Sequence, residues 1–178
     1  GLAKDEFMDN ENFPKEMYVR EARRIVGKYI FTEQDASLSS SFERTPIHKD
    51  SIAIADWPMD SHECTMNRQS GSLYDGKVLL SEKTRPSQIP YRCLVPKGID
   101  NLLVTICLSA THIAFGTIRV EPTLIQLGEV AGFASVTSKE QDINVGKLKT
   151  DYLQSQLVEN GFEISFFNDV DIDNLNSQ

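Results

Sequence analysis

The sequence has few cysteines, and they form no recognisable pattern. Cys64, Cys93 and Cys107 lie far apart and include no CxxC pair. This spacing indicates neither a disulfide framework nor a cysteine zinc site. A chain of 178 residues is long enough to build a hydrophobic core without such cross-links. We therefore expect ordinary, largely buried thiols.

Basic residues are also in the minority. There are 18 of them against 26 acidic residues, which gives a net charge of -8. A surface with this balance repels nucleic-acid phosphates and anionic lipid headgroups. No apolar run approaches the roughly 20 residues that span a bilayer, and the first residues are too acidic for a signal peptide. We expect a soluble chain that binds neither nucleic acid nor membrane, and a cytoplasmic or exported location depends on a segment before Gly1.

Three common motifs are absent: GxGxxG, GxxxxGK[ST] and GxSxG. The chain has no internal repeat either. It therefore contains no self-contained nucleotide-binding or hydrolase motif.

Periodic patterns predict helices at both ends of the chain. "PKEMYVREARRIVGKYIF" (14–31) has an apolar face at helical spacing and predicts an amphipathic helix, with arginines on the opposite, solvated or anion-binding face. A second helix is predicted from about Arg119, because Pro122 suits a first turn. Its small residues, including Gly128 and Gly132, predict a close neighbour. A third helix ends at the expected C-cap Gly161.

Short β-capable runs lie between these helices. "DSIAIADWP", "DGKVLL" and "QIPYRCLVP" predict a small sheet. "NLLVTICL" (101–108) is continuously apolar and predicts a strand that is covered on both faces. The serine-rich segment "ASLSSSFERTPIHKD" and the last acidic residues (168–178) read as a loop and a loose tail.

Few residues are candidates for chemistry. His112 lies between the predicted strand and helix, where it could exchange a proton with a ligand or simply bind a carbonyl. Asp60 and His62 alternate along an extended segment, with His48 upstream, and suit either a hydrogen-bonded pair or an incomplete metal site. Arg92 could hold a carboxylate or a carbonyl. Arg119 is a cation at a predicted helix N-terminus, where the helix dipole disfavours positive charge. An anionic partner would relieve this unfavourable interaction.

Four segments resemble, in order, the C-terminal part of the FAD-dependent oxidoreductase family: "YVREARRIVGKYIFTEQD", "DSIAIADWPMDSHE", "QIPYRCLVPKGIDNLLVTICLSATHIAFGTIRVEPTLIQLGEVAG" and "INVGKLKTDYL". The block "SATHIAFGTIRVEPT" is the most specific of them. Some members of this family carry a xanthan lyase label. The resemblance covers the chain from about Tyr18 to about Leu157.

The resemblance implies an α+β or α/β fragment, in which a small mixed substrate-side sheet adjoins the last strand and the C-terminal helix of an FAD domain. It implies a substrate-side region at 1–100, an FAD-domain region at 101–160 and a tail at 161–178. The returning strand would be Leu102 to Ile106. His112, His62 and Arg92 would be catalytic, with Asp60 beside them. Ser109, Phe115, Gly116 and Arg119 would line the flavin or the substrate pocket, and no metal is implied.

By the same resemblance, the N-terminal dinucleotide-binding half would lie outside this chain and would be its partner. The chain alone would then bind FAD weakly or not at all and be inactive, whereas the full-length protein would transfer a hydride between a small, carbohydrate-derived substrate and FAD. An exposed sheet edge predicts homodimerisation.

Relatives often carry a turn of small residues after the returning strand, where this chain has Thr105 and Ile106. The departure bears on FAD binding because small residues let the backbone come close to the cofactor. Two alternatives remain open. One is a polysaccharide lyase using Tyr91, His62 and Arg92, and the other is a non-catalytic module that kept the fold.

Overall fold

The computed structural model describes residues 3–16, 19–38, 44–62, 70–71 and 76–167. These residues have the predicted α+β character, with four short strands and four α-helices in the described part of the chain. In chain order the elements are α1 (Glu33–Ala36), β1 (Ser51–Ala55), β2 (Asp60–Ser61), β3 (Val78–Leu79), β4 (Ser87–Pro90), α2 (His112–Ile118), α3 (Glu121–Gln141) and α4 (Thr150–Glu159).

The predicted strands form two antiparallel pairs rather than one mixed sheet. β1 pairs with β4, and β2 pairs with β3. β1 and β4 are largely buried because α3 and α4 both contact β1, while α1 contacts β4. The apolar run of β1 therefore forms the centre of the core, together with Phe31, Leu94 and Leu127.

The prediction of an amphipathic helix over 14–31 is wrong for the described residues 19–31. This segment is extended, and its backbone pairs with neighbouring segments: Ile25 N–H donates to the Cys107 carbonyl and Lys28 N–H to the Val95 carbonyl. Gly27 permits this approach, since a Cβ atom there would lie 2.7 Å from Ser109 Cβ. Tertiary pairing thus overrides the helical periodicity.

The predicted buried strand over 101–108 is also wrong. The structure contains no strand in this range, and Leu102 and Ile106 are 44% and 67% exposed. A continuously apolar run forms a covered strand only when strands flank it and helices cover it, and within the described residues neither condition is met here. Cys107 is exposed, contrary to prediction, whereas Cys93 is buried as predicted. Cys64 lies outside the described residues.

The long helix is confirmed. α3 begins at Glu121, with Pro122 in its first turn. Its buried residues are Thr123, Leu127, Val130, Ala134 and Thr137. This face is buried because α3 packs on both β1 and α4. The close neighbour predicted at Gly128 and Gly132 is absent, since a Cβ atom at either position would meet no described atom within 4 Å.

The C-terminal part is organised by α4. Leu153 and Leu157 are its buried residues. Gly161, at φ 83°, ends the helix as predicted, with Phe162 N–H donating to the Leu157 carbonyl at 3.0 Å. Phe162 and Ile164 then pack against the core. The tail predicted at 168–178 lies outside the described residues. Residues 39–43 of the predicted serine-rich loop lie outside them as well.

A buried carboxylate fixes the segment that leads into the core. Asp35, 3% exposed, accepts hydrogen bonds from Tyr29 Oη at 2.6 Å and from the Thr32 backbone at 2.7 Å, and lies 3.0 Å from His48 Nε2. Burial alone would raise the pKa of Asp35, but these contacts outweigh it and lower the pKa below its usual value. Burial and Asp35 together raise the pKa of Tyr29.

Protein stability is therefore expected to fall in acid through Asp35. A carboxyl whose folded-state pKa is lowered contributes stability above its unfolded value, about 3.9, and loses that contribution as the pH falls further. Urea unfolding of the Asp35→Asn variant between about pH 2 and 6 should show a flatter acid limb than the wild type. The exposed Asp5→Asn variant is the control and should keep the wild-type limb. An unchanged limb in Asp35→Asn would contradict this linkage.

Candidate functional site

β2 and α2 are distant in sequence, but they contact each other at the predicted site residues. β2 crosses α2 at Gly116, which is buried against the Asp60 backbone. A Cβ atom at Gly116 would lie 2.8 Å from the Asp60 nitrogen and closer still to its carbonyl oxygen. Glycine is thus required for the crossing, which brings Asp60, Ser61 and His62 beside His112.

The Gly116→Ala substitution is expected to destabilise the protein by about 1–3 kcal/mol, because the added methyl group overpacks this crossing. Gly128→Ala is the matched control. Its Cβ would meet open space on α3, so the better helix former should raise the free energy of unfolding by up to about 1 kcal/mol. Chemical denaturation measures both values. Equal effects of the two substitutions would show that β2 does not cross α2 this closely.

His112 is held on both ring nitrogens. Its Nδ1 lies 2.8 Å from Glu21 Oε2, and its Nε2 lies 2.9 Å from Ser61 Oγ. The carboxylate accepts from Nδ1–H, so the neutral ring keeps Nε2 as a proton acceptor for the Ser61 hydroxyl. The His112 side chain is 54% exposed, whereas Glu21 is 17% exposed. This arrangement orients an accessible imidazole for proton exchange.

Arg119 closes the inner side of the same cluster. Its guanidinium, 9% exposed, lies 2.6 Å from Asp60 Oδ1 and 3.4 Å from Glu21 Oε1. A buried cation between two carboxylates holds both in place. Arg119 ends α2, and the next residue, Val120, is the N-cap of α3.

Arginines from the extended N-terminal segment complete the cluster. Arg20 hydrogen-bonds to His62, whose Nε2 lies 3.4 Å from Asp60 Oδ2, as the predicted pairing of Asp60 and His62 requires. Arg24 donates to the Ala110 carbonyl at 3.0 Å and lies 5.1 Å from the centre of the Phe115 ring. The described residues contain no group of three or more His, Cys, Asp or Glu side chains arranged to hold a metal ion.

All four predicted cofactor residues, Ser109, Phe115, Gly116 and Arg119, are buried in this structure. Ser109 is fully buried and pairs through its backbone with Cys93 and Phe31. Phe115 is 4% exposed and packs under Arg24, and Gly116 serves the β2 crossing. The role of these residues at a flavin stays a prediction.

Arg92 belongs to a different cluster. It forms a bidentate pair with Asp50, at 2.9 Å and 3.1 Å, and lies 4.9 Å from the centre of the Tyr29 ring. Tyr91 Oη donates to the Val145 carbonyl at 2.9 Å. In the described structure no hydrogen bond or ion pair joins His62 to Tyr91 or Arg92, so the three residues of the lyase alternative do not form one contact network.

Glu21 and Ser61 were missed by sequence reasoning. Glu21 stands among arginines in a segment that reads as a helix, and it reaches His112 only because that segment is extended. Ser61 lies between two residues that were singled out, and a lone serine outside a GxSxG turn carries no signal. Neither position could have been found without the tertiary arrangement.

A second feature lies on the other side of Val120. A cavity of about 790 Å³ opens at the N-terminus of α3. Trp57, Phe166, Val120 and Pro122 contribute apolar walls, and Asp56, Glu121 and Glu163 contribute carboxylates. No described side chain caps the N-terminus of α3. Pro122 has no N–H, so the first-turn donors left for a ligand are the backbone N–H groups of Glu121 and Thr123.

The donor set of this cavity fits one part of FAD. Aromatic and apolar walls beside uncapped N–H groups suit the flat flavin ring and its electron-rich edge. Among the described residues no cationic side chain lines the cavity, and the three carboxylates would repel a diphosphate. The residues present therefore fit the ring system and not the diphosphate.

The α+β fold thus carries a carboxylate-bound histidine and, next to Val120, a largely apolar cavity at the N-terminus of a long helix. The chain matches the model of the FAD dependent oxidoreductase family over residues 1–157, and it belongs to that family. Neither the curated proteins nor the solved structures give a match. No helix in the described ranges is both long and apolar enough to cross a membrane.

Proposed function

We propose that this chain is the substrate-side and ring-binding portion of a flavin-dependent oxidoreductase that moves a hydride between a small-molecule substrate and FAD. The family match supports the flavin chemistry. The proposed hydride transfer from a small-molecule substrate rests on the half-exposed His112, whose Nδ1 lies 2.8 Å from Glu21. A histidine fixed in this way suits the proton transfer that accompanies removal of a hydride from an alcohol.

In this proposal each residue has a stated task. His112 would accept the hydroxyl proton of the substrate at Nε2, in place of the Ser61 hydroxyl. Glu21 would keep Nδ1 protonated and stabilise the imidazolium that forms. Arg119 would hold Glu21 and Asp60 in position. Trp57 and the first turn of α3 would hold the flavin ring, and FAD would supply the hydride-accepting chemistry there.

The diphosphate and adenosine of FAD require a second site. We infer that a glycine-rich dinucleotide-binding half, N-terminal to this chain, supplies it. A sugar or sugar-derived alcohol is the substrate class we propose, since the family that the sequence resembles includes members with a xanthan lyase label and the proton transfer proposed for His112 requires a hydroxyl group.

The chain alone is expected to bind riboflavin and FAD equally weakly, because it fits only the ring. Trp57 is the one tryptophan in the sequence and lines the cavity, so quenching of its fluorescence reports binding there. N-acetyltryptophanamide, titrated in parallel, corrects for light absorbed by the flavin. Markedly tighter binding of FAD than of riboflavin, or stoichiometric flavin in the purified chain, would contradict the proposal.

A further inference from the structure

A cationic groove lies apart from the His112 cluster. It has a volume of about 570 Å³, within the range of small-molecule sites. Four cationic side chains and two carboxylates line it: Lys28, Lys49, Arg92 and Lys149, with Asp50 and Asp151. In a chain of net charge -8, such an excess of cations around one concave surface favours an anionic ligand.

Arg92 is the most rigid of these cations. Asp50, 13% exposed, accepts hydrogen bonds from Nε and from one terminal nitrogen of the Arg92 guanidinium. The guanidinium also lies over the Tyr29 ring. A guanidinium has five N–H donors, so this bidentate pair leaves further N–H groups for a ligand. The Arg92 side chain is 48% exposed, which leaves these donors accessible. The guanidinium is thus already oriented before any ligand arrives.

Lys49 and Lys149 are available to pair with a ligand. Lys28 is engaged by Asp100 at 2.8 Å, but the structure gives neither Lys49 nor Lys149 a side-chain partner among the described residues. Both side chains are exposed at the groove. Two lysines that line one groove repel each other, and a bound anion would offset that repulsion.

The N-terminus of α4 adds to this potential. Lys149 is its N-cap, no side chain caps the helix, and Thr150 and Asp151 line the groove. The first N–H groups of α4 and its dipole favour negative charge at the same place. Within the described part of the chain, Asp151 is the groove carboxylate that has no cationic partner, and it opposes a ligand there.

We propose that this groove binds a small molecule through a phosphate or carboxylate group, held by Arg92, Lys49, Lys149 and the first turn of α4. This site is separate from the proposed redox site and does not depend on it. Its ligand could be a substrate, a product or a regulator, and all three share the same oxyanion chemistry.

Calorimetric titration of the chain with inorganic phosphate and with malonate tests this. We expect saturable binding that the Lys49→Ala/Lys149→Ala double variant weakens by about tenfold or more, the loss of at least one charge-assisted contact. The Lys83→Ala/Lys139→Ala double variant removes the same charge from exposed positions elsewhere and should bind within about twofold of wild type. Asp151→Asn should bind several-fold more tightly.

The relative affinities identify the ligand group. Tighter phosphate binding supports a phosphoryl ligand, and tighter malonate binding supports a carboxylate ligand. No saturable binding of either probe would overturn the proposal. Equal weakening in the two double variants would overturn it as well, because it would show non-specific attraction to net charge. Unchanged circular dichroism spectra confirm that the variants fold.

Discussion

Replacing His112 by glutamine is expected to slow substrate-dependent flavin reduction by about 10²- to 10⁴-fold, the usual contribution of a positioned acid or base. The measurement uses the longer protein that joins this chain to the dinucleotide-binding half we propose. It follows anaerobic loss of flavin absorbance with an alcohol substrate found by screening. Glutamine keeps a polar side chain of similar length but cannot carry the proton.

The Glu21→Gln variant separates orientation from proton transfer. Glutamine at this position can still accept from His112 Nδ1–H, but it no longer stabilises the imidazolium. Its rate should therefore fall less than that of His112→Gln and should depend differently on pH. Both variants should retain the flavin spectrum, since neither residue lines the cavity at α3. Wild-type rates in His112→Gln would remove this residue from the mechanism.

Replacing Arg119 by leucine is expected to lower the free energy of unfolding by about 3–5 kcal/mol, the cost of breaking a buried ion pair. Arg119 is 9% exposed, and its partners Asp60 and Glu21 are 18% and 17% exposed. Without the guanidinium, these two carboxylates would lie close together with little solvent. Urea denaturation of the purified chain gives the value.

Two further variants show whether the loss comes from this cluster. Arg23→Leu removes an exposed cation and should change stability by no more than about 0.5 kcal/mol. Adding Asp60→Asn to Arg119→Leu should recover part of the lost stability, because it removes one uncompensated charge. If Arg119→Leu were as stable as Arg23→Leu, the buried pairs would not exist in solution.

The sequence predicted the elements whose signals are local. The first turn of α3 follows from Pro122, the end of α4 from Gly161, and β1 from alternating and β-branched residues in "SIAIA". In each case the deciding interaction lies within a few residues, so the pattern and the structure agree.

The elements that failed are those whose partners are distant. Residues 19–31 carry a helical pattern, but their backbone pairs with segments 63 to 82 residues away, from Tyr29–Arg92 to Ile25–Cys107. No local pattern encodes this pairing. Residues 101–108 carry the pattern of a covered strand, but the described residues place no strand beside them. That run would gain such neighbours if the proposed N-terminal half joined the same sheet.

The candidate site was predicted only in part, because some of its residues meet through contacts between distant segments. His112, Asp60, His62 and Arg119 were visible as unusual residue types in unusual places, and the structure brings them together. Glu21 and Ser61 carried no such signal, although they hold the two nitrogens of His112. Arg92 looked equivalent from the sequence, but its contacts are with Asp50 and Tyr29.

The most direct test of the account is the absorbance spectrum of the longer protein, purified with added FAD, beside that of this chain treated in the same way. We predict flavin bands near 450 nm, the ordinary range of the cofactor, in the longer protein alone, bleached on addition of an alcohol substrate. This would show that the two halves complete one flavin site. The absence of flavin bands from both would contradict the account and favour a lyase or a non-catalytic module.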